Sequence, residues 1–200
     1  MARSRTSAEQ CRNLWAPWRL EYIQALSEPE GRCFLCRDRD GGGGLRRDSD
    51  RRNLLLWRGR WTMTVLNRFP YTGGHCLVAP LRHVGDLADL REAELRELAG
   101  ALRDVPRVLA KALGAHGFNI GINLGRCAGA GLPGHLHAHI VPRWEGDTNF
   151  MAVLGDVRVI PQSLEELYDL LTATGRRMRL PRLAGRKRTP ARRQLGTHHG

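Results

Sequence analysis

Three histidines, His135, His137 and His139, alternate with Leu136, Ala138 and Ile140. This is the period-two spacing with which a strand lines one face with imidazoles and sends the intervening apolar side chains into a core. At a rise of about 3.3 Å per residue, neighbouring rings on that face stand roughly 6.6 Å apart, too far for all three to act on one atom, so different tasks are expected of them. Neutral imidazole is nucleophilic near pH 7 and leaves readily from phosphorus, which suits it to splitting a phosphoanhydride exchange into two steps. The preceding segment, Asn123 to Gly131, ends in Gly129-Ala130-Gly131, whose backbone amides can cradle phosphoryl oxygens without side-chain bulk. Trp144 follows the strand in Pro142-Arg143-Trp144, a surface on which a base could stack, although Trp more often serves ordinary packing.

Histidines at i and i+2 on a strand also ligate zinc, iron or copper, so a metal enzyme of cupin type competes with the nucleophile reading. That rival leaves the glycine loop and the Arg143-Trp144 segment without work. Purely structural histidines fit least well, because three imidazoles in register are costly to satisfy as passive core.

The elements that must position these groups follow from pattern. Strands are expected at Asn53 to Trp57, Trp61 to Asn67 and Cys76 to Ala79, with Pro70-Tyr71-Thr72-Gly73-Gly74 as the turn between the last two. Residues Asp86 to Leu113 carry Leu87, Leu90, Ala93, Leu98, Leu102, Val105 and Leu109 at three- or four-residue intervals, one apolar stripe of an amphipathic helix that Pro106 should kink. Two more strands, Phe118 to Asn123 and His135 to Val141, flank the glycine loop. A last helix spans Leu164 to Leu171, with Gln162-Ser163 as its cap. Leu14 to Arg19 reads as an aromatic segment docking on the domain, Tyr22 to Leu26 as a short helix, and Gly41 to Gly44 as a flexible loop. The order is α+β, a mostly antiparallel sheet with a long helix packed on one side.

Length and charge bound the class. Two hundred residues suit one domain with a real core, here residues 13–175 after a flexible 1–12. The formal charge is +12, which suggests nucleic acid until it is located. Of the 32 Lys and Arg, nine lie from Arg176 onward, where there is no acid, so the 23 basic and 20 acidic residues before it leave only +3. Residues 176–200 therefore read as a disordered basic tail, with loose, salt-sensitive contact to RNA or an acidic partner as the lesser expectation. No apolar run is long enough to span a bilayer and no secretory leader is evident, so a cytoplasmic protein without membrane partner is expected. Five cysteines argue against a disulfide framework. Cys11, Cys76 and Cys127 are scattered and read as buried or inert, whereas Cys33 and Cys36 have the C-x-x-C spacing with which two thiolates share one metal or form one redox pair.

Four separate motifs occur in one order: Gly74-His75-Cys76-Leu77-Val78-Ala79-Pro80-Leu81-Arg82-His83; the Asn123 to Gly131 loop; His135-x-His137-x-His139-x-Val141-Pro142-Arg143-Trp144; and Gly146-Asp147-Thr148-Asn149-Phe150-Met151. Together they resemble the histidine triad (HIT) superfamily, in particular its bacterial branch of diadenosine tetraphosphate phosphorylase- or hydrolase-like proteins, over roughly residues 13 to 172. The resemblance implies cleavage of a dinucleoside polyphosphate at the α-phosphate through a nucleotidyl-histidine intermediate. A nucleoside phosphoramidase and a catalytically weak nucleotide-binding module are the alternatives. It implies that His137 is the nucleophile, that His139 contacts phosphate oxygens or the leaving group, and that His75 lies behind the nucleophile and orients it. By the same resemblance Asn67 falls where ribose hydroxyls bind, and Asn123 with Gly129, Ala130 and Gly131 where the polyphosphate binds. The family pattern also pairs Cys33 and Cys36 with His83 and His135 as a closed structural zinc site. No organic cofactor is implied, and a homodimer through the long helix and sheet edge is.

Overall fold

The computed structural model of the chain describes residues 33–40, 46–147 and 162–180. The expectations for residues 1–12, Leu14 to Arg19, Tyr22 to Leu26, Gly41 to Gly44 and residues 181–200 lie outside the described residues.

Five strands, β1 (Leu55–Arg58), β2 (Thr62–Leu66), β3 (Cys76–Pro80), β4 (Gly117–Ile122) and β5 (Ala138–Arg143), form one sheet in the order β1-β2-β3-β5-β4, with every pairing antiparallel. Among the described residues four helices accompany it: α1 (Phe34–Asp40), α2 (Arg46–Arg52), α3 (Glu92–Leu113) and α4 (Leu164–Met178). This is the expected α+β arrangement. Among the described residues no helix is long and apolar enough to cross a membrane.

All residues of β2 and β3 are buried, because both faces of the sheet are covered. Leu66, Cys76, Val78 and Ile140 face Leu98, Ala101, Val105, Val108 and Leu109 of α3, with Leu167 and Leu171 of α4 in the same cluster. The intervening residues Leu55, Met63, Val65, Leu77 and Ala79 turn the other way and pack with Leu35 of α1, as the period-two rule requires. The second cover is what the sequence reading, with a helix on one side, left out.

Helix α3 begins six residues later than the apolar stripe suggested. Asp86 first forms a local turn by accepting the Ala88 N–H, and the helix opens where Glu94 accepts the Arg91 N–H at 2.8 Å, half of a capping box. It continues through Pro106 and ends at Gly114, whose φ of 62° gives the left-handed cap with its N–H on the Ala110 carbonyl.

Glu94 also ties the helix to the exit of β3. Its carboxylate, 2 % exposed, accepts Arg82 Nε at 3.0 Å and Nη2 at 2.8 Å. Those bonds, with the Arg91 N–H, hold its pKa down to about 2 from the ordinary 4.5, against the burial that would raise it. A depressed pKa contributes stability that is present above the ordinary value and lost as pH falls through the lowered one. Glu94→Gln should therefore cost about 1.5–3 kcal/mol at neutral pH, and the difference from wild type should shrink between pH 4.5 and 2. Urea unfolding at a series of pH values checks this; a pH-independent difference would show that the charge is not what matters.

Two boundaries are corrected. Helix α4, capped by Ser163 accepting the Glu166 N–H, runs past Leu171 to Met178, and Leu180 joins the main core at 7 % exposure. Helix α4 thus extends beyond residue 175: Arg176, Arg177 and Arg179 occupy exposed positions while Met178 and Leu180 keep apolar contact. Strand β5 begins at Ala138, not His135. Pro80, opposite this stretch, has no N–H to extend the ladder; its carbonyl is taken by the His135 ring, and the Leu136 N–H goes to Val84 instead.

Candidate active site

The hairpin between β2 and β3 positions the first imidazole. The Asn67 N–H bonds the His75 carbonyl, and the His75 N–H bonds Thr72. Gly74 sits at φ 80°, where a side chain is strained, and a Cβ there would lie 2.5 Å from a Leu113 methyl and push it away, so glycine is favoured. The fully buried His75 then places Nε2 3.0 Å from His139 Nδ1. Its Nδ1 faces the Tyr71 N–H at 3.2 Å and Asn67 Nδ2 at 3.3 Å. Burial, and next the neighbouring His139 and His137, push the His75 pKa down to about 3, so the ring is neutral at physiological pH.

His139 stands on β5 opposite Leu77 on one side and Gly121 on the other. The His137 ring lies at 5.0 Å from the His139 ring, tilted by 63°. His137 is buried, which lowers its pKa, and its Nδ1 lies 2.8 Å from the His135 carbonyl oxygen. A carbonyl only accepts, so Nδ1 carries the proton and Nε2 keeps its lone pair. That tautomer leaves Nε2 as the nucleophilic nitrogen of the three-ring cluster.

His135 belongs to a different cluster. Its Nδ1 lies 3.2 Å from Cys33 Sγ and 3.6 Å from Cys36 Sγ, while His83 Nδ1 lies 3.4 Å from Cys36 Sγ. All four ligand atoms fall within 4.8 Å of one another, and the set could hold a metal ion. In a tetrahedral site with metal–sulfur and metal–nitrogen bonds of zinc length, sulfur and nitrogen ligands stand about 3.5 Å apart, which matches these separations. Donation from Nε2 to the Pro80 carbonyl at 2.9 Å fixes the tautomer that turns a lone pair on Nδ1 toward the thiols. Burial, then the Cys33 thiol, raise the Cys36 pKa to about 11, against the Arg39 guanidinium, which lowers it. The three histidines thus fall into two clusters: His139 meets both His75 and His137, and His135 meets the cysteines.

The other expected positions come out unevenly. His75 bonds His139, so its contact reaches that ring and not His137. Asn67 is buried, with Oδ1 accepting the Phe69 N–H at 3.0 Å and Nδ2 facing His75. Asn123 Nδ2 bonds the Gly129 carbonyl at 3.3 Å and so closes its loop. Within that loop the Gly129 and Ala130 amides donate to the carbonyls of Arg126 and Gly125; of the three amides expected to face phosphate, two are engaged in the turn. The Trp144 indole N–H donates to Leu113, at the end of α3, which is the packing role. Cys76 is buried with a raised pKa, and Cys127 is exposed.

Tyr71 is the residue the sequence reading passed over, because Pro-Tyr-Thr-Gly-Gly signals only a turn. Its ring stacks on His75 at 4.8 Å and 27°, and lies 6.1 Å from His139.

Comparison with known proteins follows the same outline. Residues 58–146 match the HIT domain family model. The chain is 37 % identical over 163 residues to the AP-4-A phosphorylase of Mycobacterium tuberculosis, covering 82 % of this chain and 84 % of that protein. It is 39 % identical over 93 residues to the asymmetrical bis(5'-nucleosyl)-tetraphosphatase of Schizosaccharomyces pombe, 46 % of this chain and 50 % of that one. Among solved structures, a Zn-bound histidine triad family protein from Mycobacterium smegmatis superposes with a TM-score of 0.59 at 28 % identity, over 74 % of this chain and 95 % of that one.

Proposed function

This chain belongs to the HIT domain family, and from that premise we propose that it cleaves dinucleoside polyphosphates of the diadenosine tetraphosphate type between the α- and β-phosphates, with His137 as the nucleophile. The observation that carries the reading is the His137 tautomer, with Nδ1–H held by the His135 carbonyl and Nε2 left as a base, beside the rings of His139 and His75. Nε2 attacks the α-phosphorus, a bond from nitrogen to phosphorus forms, and the bridging oxygen leaves with the electron pair and the remaining phosphates. The positive charge that develops on the His137 ring is met at Nδ1–H by the His135 carbonyl dipole. An acceptor oxygen then attacks the same phosphorus and returns the electron pair to Nε2.

His139 contacts the phosphoryl oxygens or the leaving group, and Gly131, with Asn123 closing the loop, lies along the polyphosphate. Gly129 and Ala130 contribute amides there only if the turn opens. Asn67 retains one amide hydrogen for a ribose hydroxyl. Phosphate is the acceptor we favour over water, on the strength of the M. tuberculosis relative. Zinc is the metal proposed for Cys33, Cys36, His83 and His135; with all four positions supplied by the protein it is structural, joining α1 to the segment that carries the nucleophile. A homodimer is proposed through edge strand β4 and α3, where Ile120 and Leu95 are large apolar side chains left about half exposed.

Incubation with diadenosine tetraphosphate, with and without inorganic phosphate, separates the outcomes. ATP together with ADP that appears only when phosphate is present supports the phosphorylase; AMP and ATP in its absence identify water as acceptor. No cleavage under either condition overturns the reaction.

A further inference from the structure

Asn67 has a fixed orientation. Its Oδ1 accepts the Phe69 N–H at 3.0 Å, a bond the amide nitrogen could not make, so Nδ2 is the end that faces His75 Nδ1 at 3.3 Å. The Tyr71 backbone N–H points at the same nitrogen from 3.2 Å. Two donors on one ring nitrogen require that it carry no proton, and a neutral imidazole then has its hydrogen on Nε2. That hydrogen lies toward His139 Nδ1, 3.0 Å away, which must accept it. His139 is thereby left with its own hydrogen on Nε2, at the ring edge away from His75.

We propose that Asn67 is a positioning residue that acts through His75: with the Tyr71 amide it holds His75, and through His75 it holds His139, as Nε2–H tautomers, so that His139 meets the phosphoryl group as a hydrogen-bond donor and not as a base. Full burial of His75, with the pKa of about 3 that follows, keeps that ring from escaping the constraint by taking a second proton. The Tyr71 ring, stacked on His75 at 27° and lying within 19° of parallel to His139, opposes rotation of either imidazole. The tautomer chain stands without substrate; its use at a phosphoryl group rests on the function proposed above.

The test is long-range proton–nitrogen correlation NMR of histidine-labelled protein without nucleotide, combined with steady-state kinetics. In wild type both His75 and His139 should show the Nε2–H pattern; an Nδ1–H pattern at either ring overturns the proposal without any variant. Asn67→Asp replaces the donor by an acceptor, and should shift His75 toward Nδ1–H or the doubly protonated form and lower kcat on the order of 100-fold, with a smaller change in KM. Asn67→Leu, which neither donates nor accepts, should perturb the tautomers and kcat less than Asn67→Asp. If both variants raise KM alike and leave the two rings as in wild type, Asn67 serves the ribose alone and the proposal fails. Wild-type spectra as stated in a protein that cleaves no dinucleotide would instead overturn the proposed reaction and leave the tautomer assignment standing.

Discussion

Replacing His137 by alanine should reduce turnover of diadenosine tetraphosphate by at least about 10³-fold, with nucleotide affinity little changed. The asymmetry follows from where the ring sits. His137 is buried with Nδ1 committed to the His135 carbonyl, so the one function it can offer a substrate is the Nε2 lone pair. Removing that lone pair removes the covalent route, and a direct attack by phosphate on the α-phosphorus would have to proceed without the activated nucleophile that divides the barrier. Groups that hold the polyphosphate remain, so binding persists. Single-turnover assays give the rate, and titration calorimetry with an uncleaved analogue gives the affinity. Wild type mixed with labelled substrate and denatured at neutral or alkaline pH should carry label on the protein, because a phosphorus–nitrogen bond survives there; His137→Ala should carry none. Near wild-type activity in His137→Ala, or label retained on the variant, would require abandoning the covalent mechanism.

How much of this site could be read from sequence depends on whether the controlling contact is local. Alternation at residues 135–140 showed that the three imidazoles are related, and the turn residues around Gly74 predicted the hairpin that carries His75. The departure of His135 from the strand was not legible, because it is decided by Pro80, 55 residues away, which cannot donate to the ladder and whose carbonyl holds the His135 ring. The metal-ligand set was suggested by C-x-x-C spacing and completed only by family resemblance; the structure supplies what spacing lacks, a common approach of four donor atoms. The glycine loop was read as a phosphate cradle from its small residues, which signal close approach without saying whether the amides face inward or close their own turn, as those of Gly129 and Ala130 do. At the C-terminal end, the run of arginines obscured the last turn of α4, beyond which Leu180 enters the core. Both the strand start and the helix end were set by long-range packing, the kind of information a local pattern cannot carry.

Protein purified without added metal should contain one zinc per chain, and Cys33→Ser should lose it together with stability. Four donors from three separate places in the chain, the start of α1, the loop after β3 and the approach to β5, converge on one point, so an ion bound there would cross-link segments that are up to 102 residues apart. A preformed cluster of this kind does not exist in the unfolded chain, and the binding free energy therefore appears as folding free energy. Losing a thiolate ligand should lower Tm by on the order of 10 °C, the shift for a few kcal/mol in a domain of this size. Activity per folded molecule should fall less. The His135 backbone carbonyl that holds His137 is itself anchored by the bond from the His135 ring to Pro80, a contact the substitution leaves in place. Elemental analysis, melting curves with and without a chelator, and active-site titration of the folded fraction measure the three quantities. A wild type that is free of metal and equally stable in chelator would remove the structural role. A Cys33→Ser variant that keeps its Tm but loses all activity would show that the ion serves the reaction and not the fold.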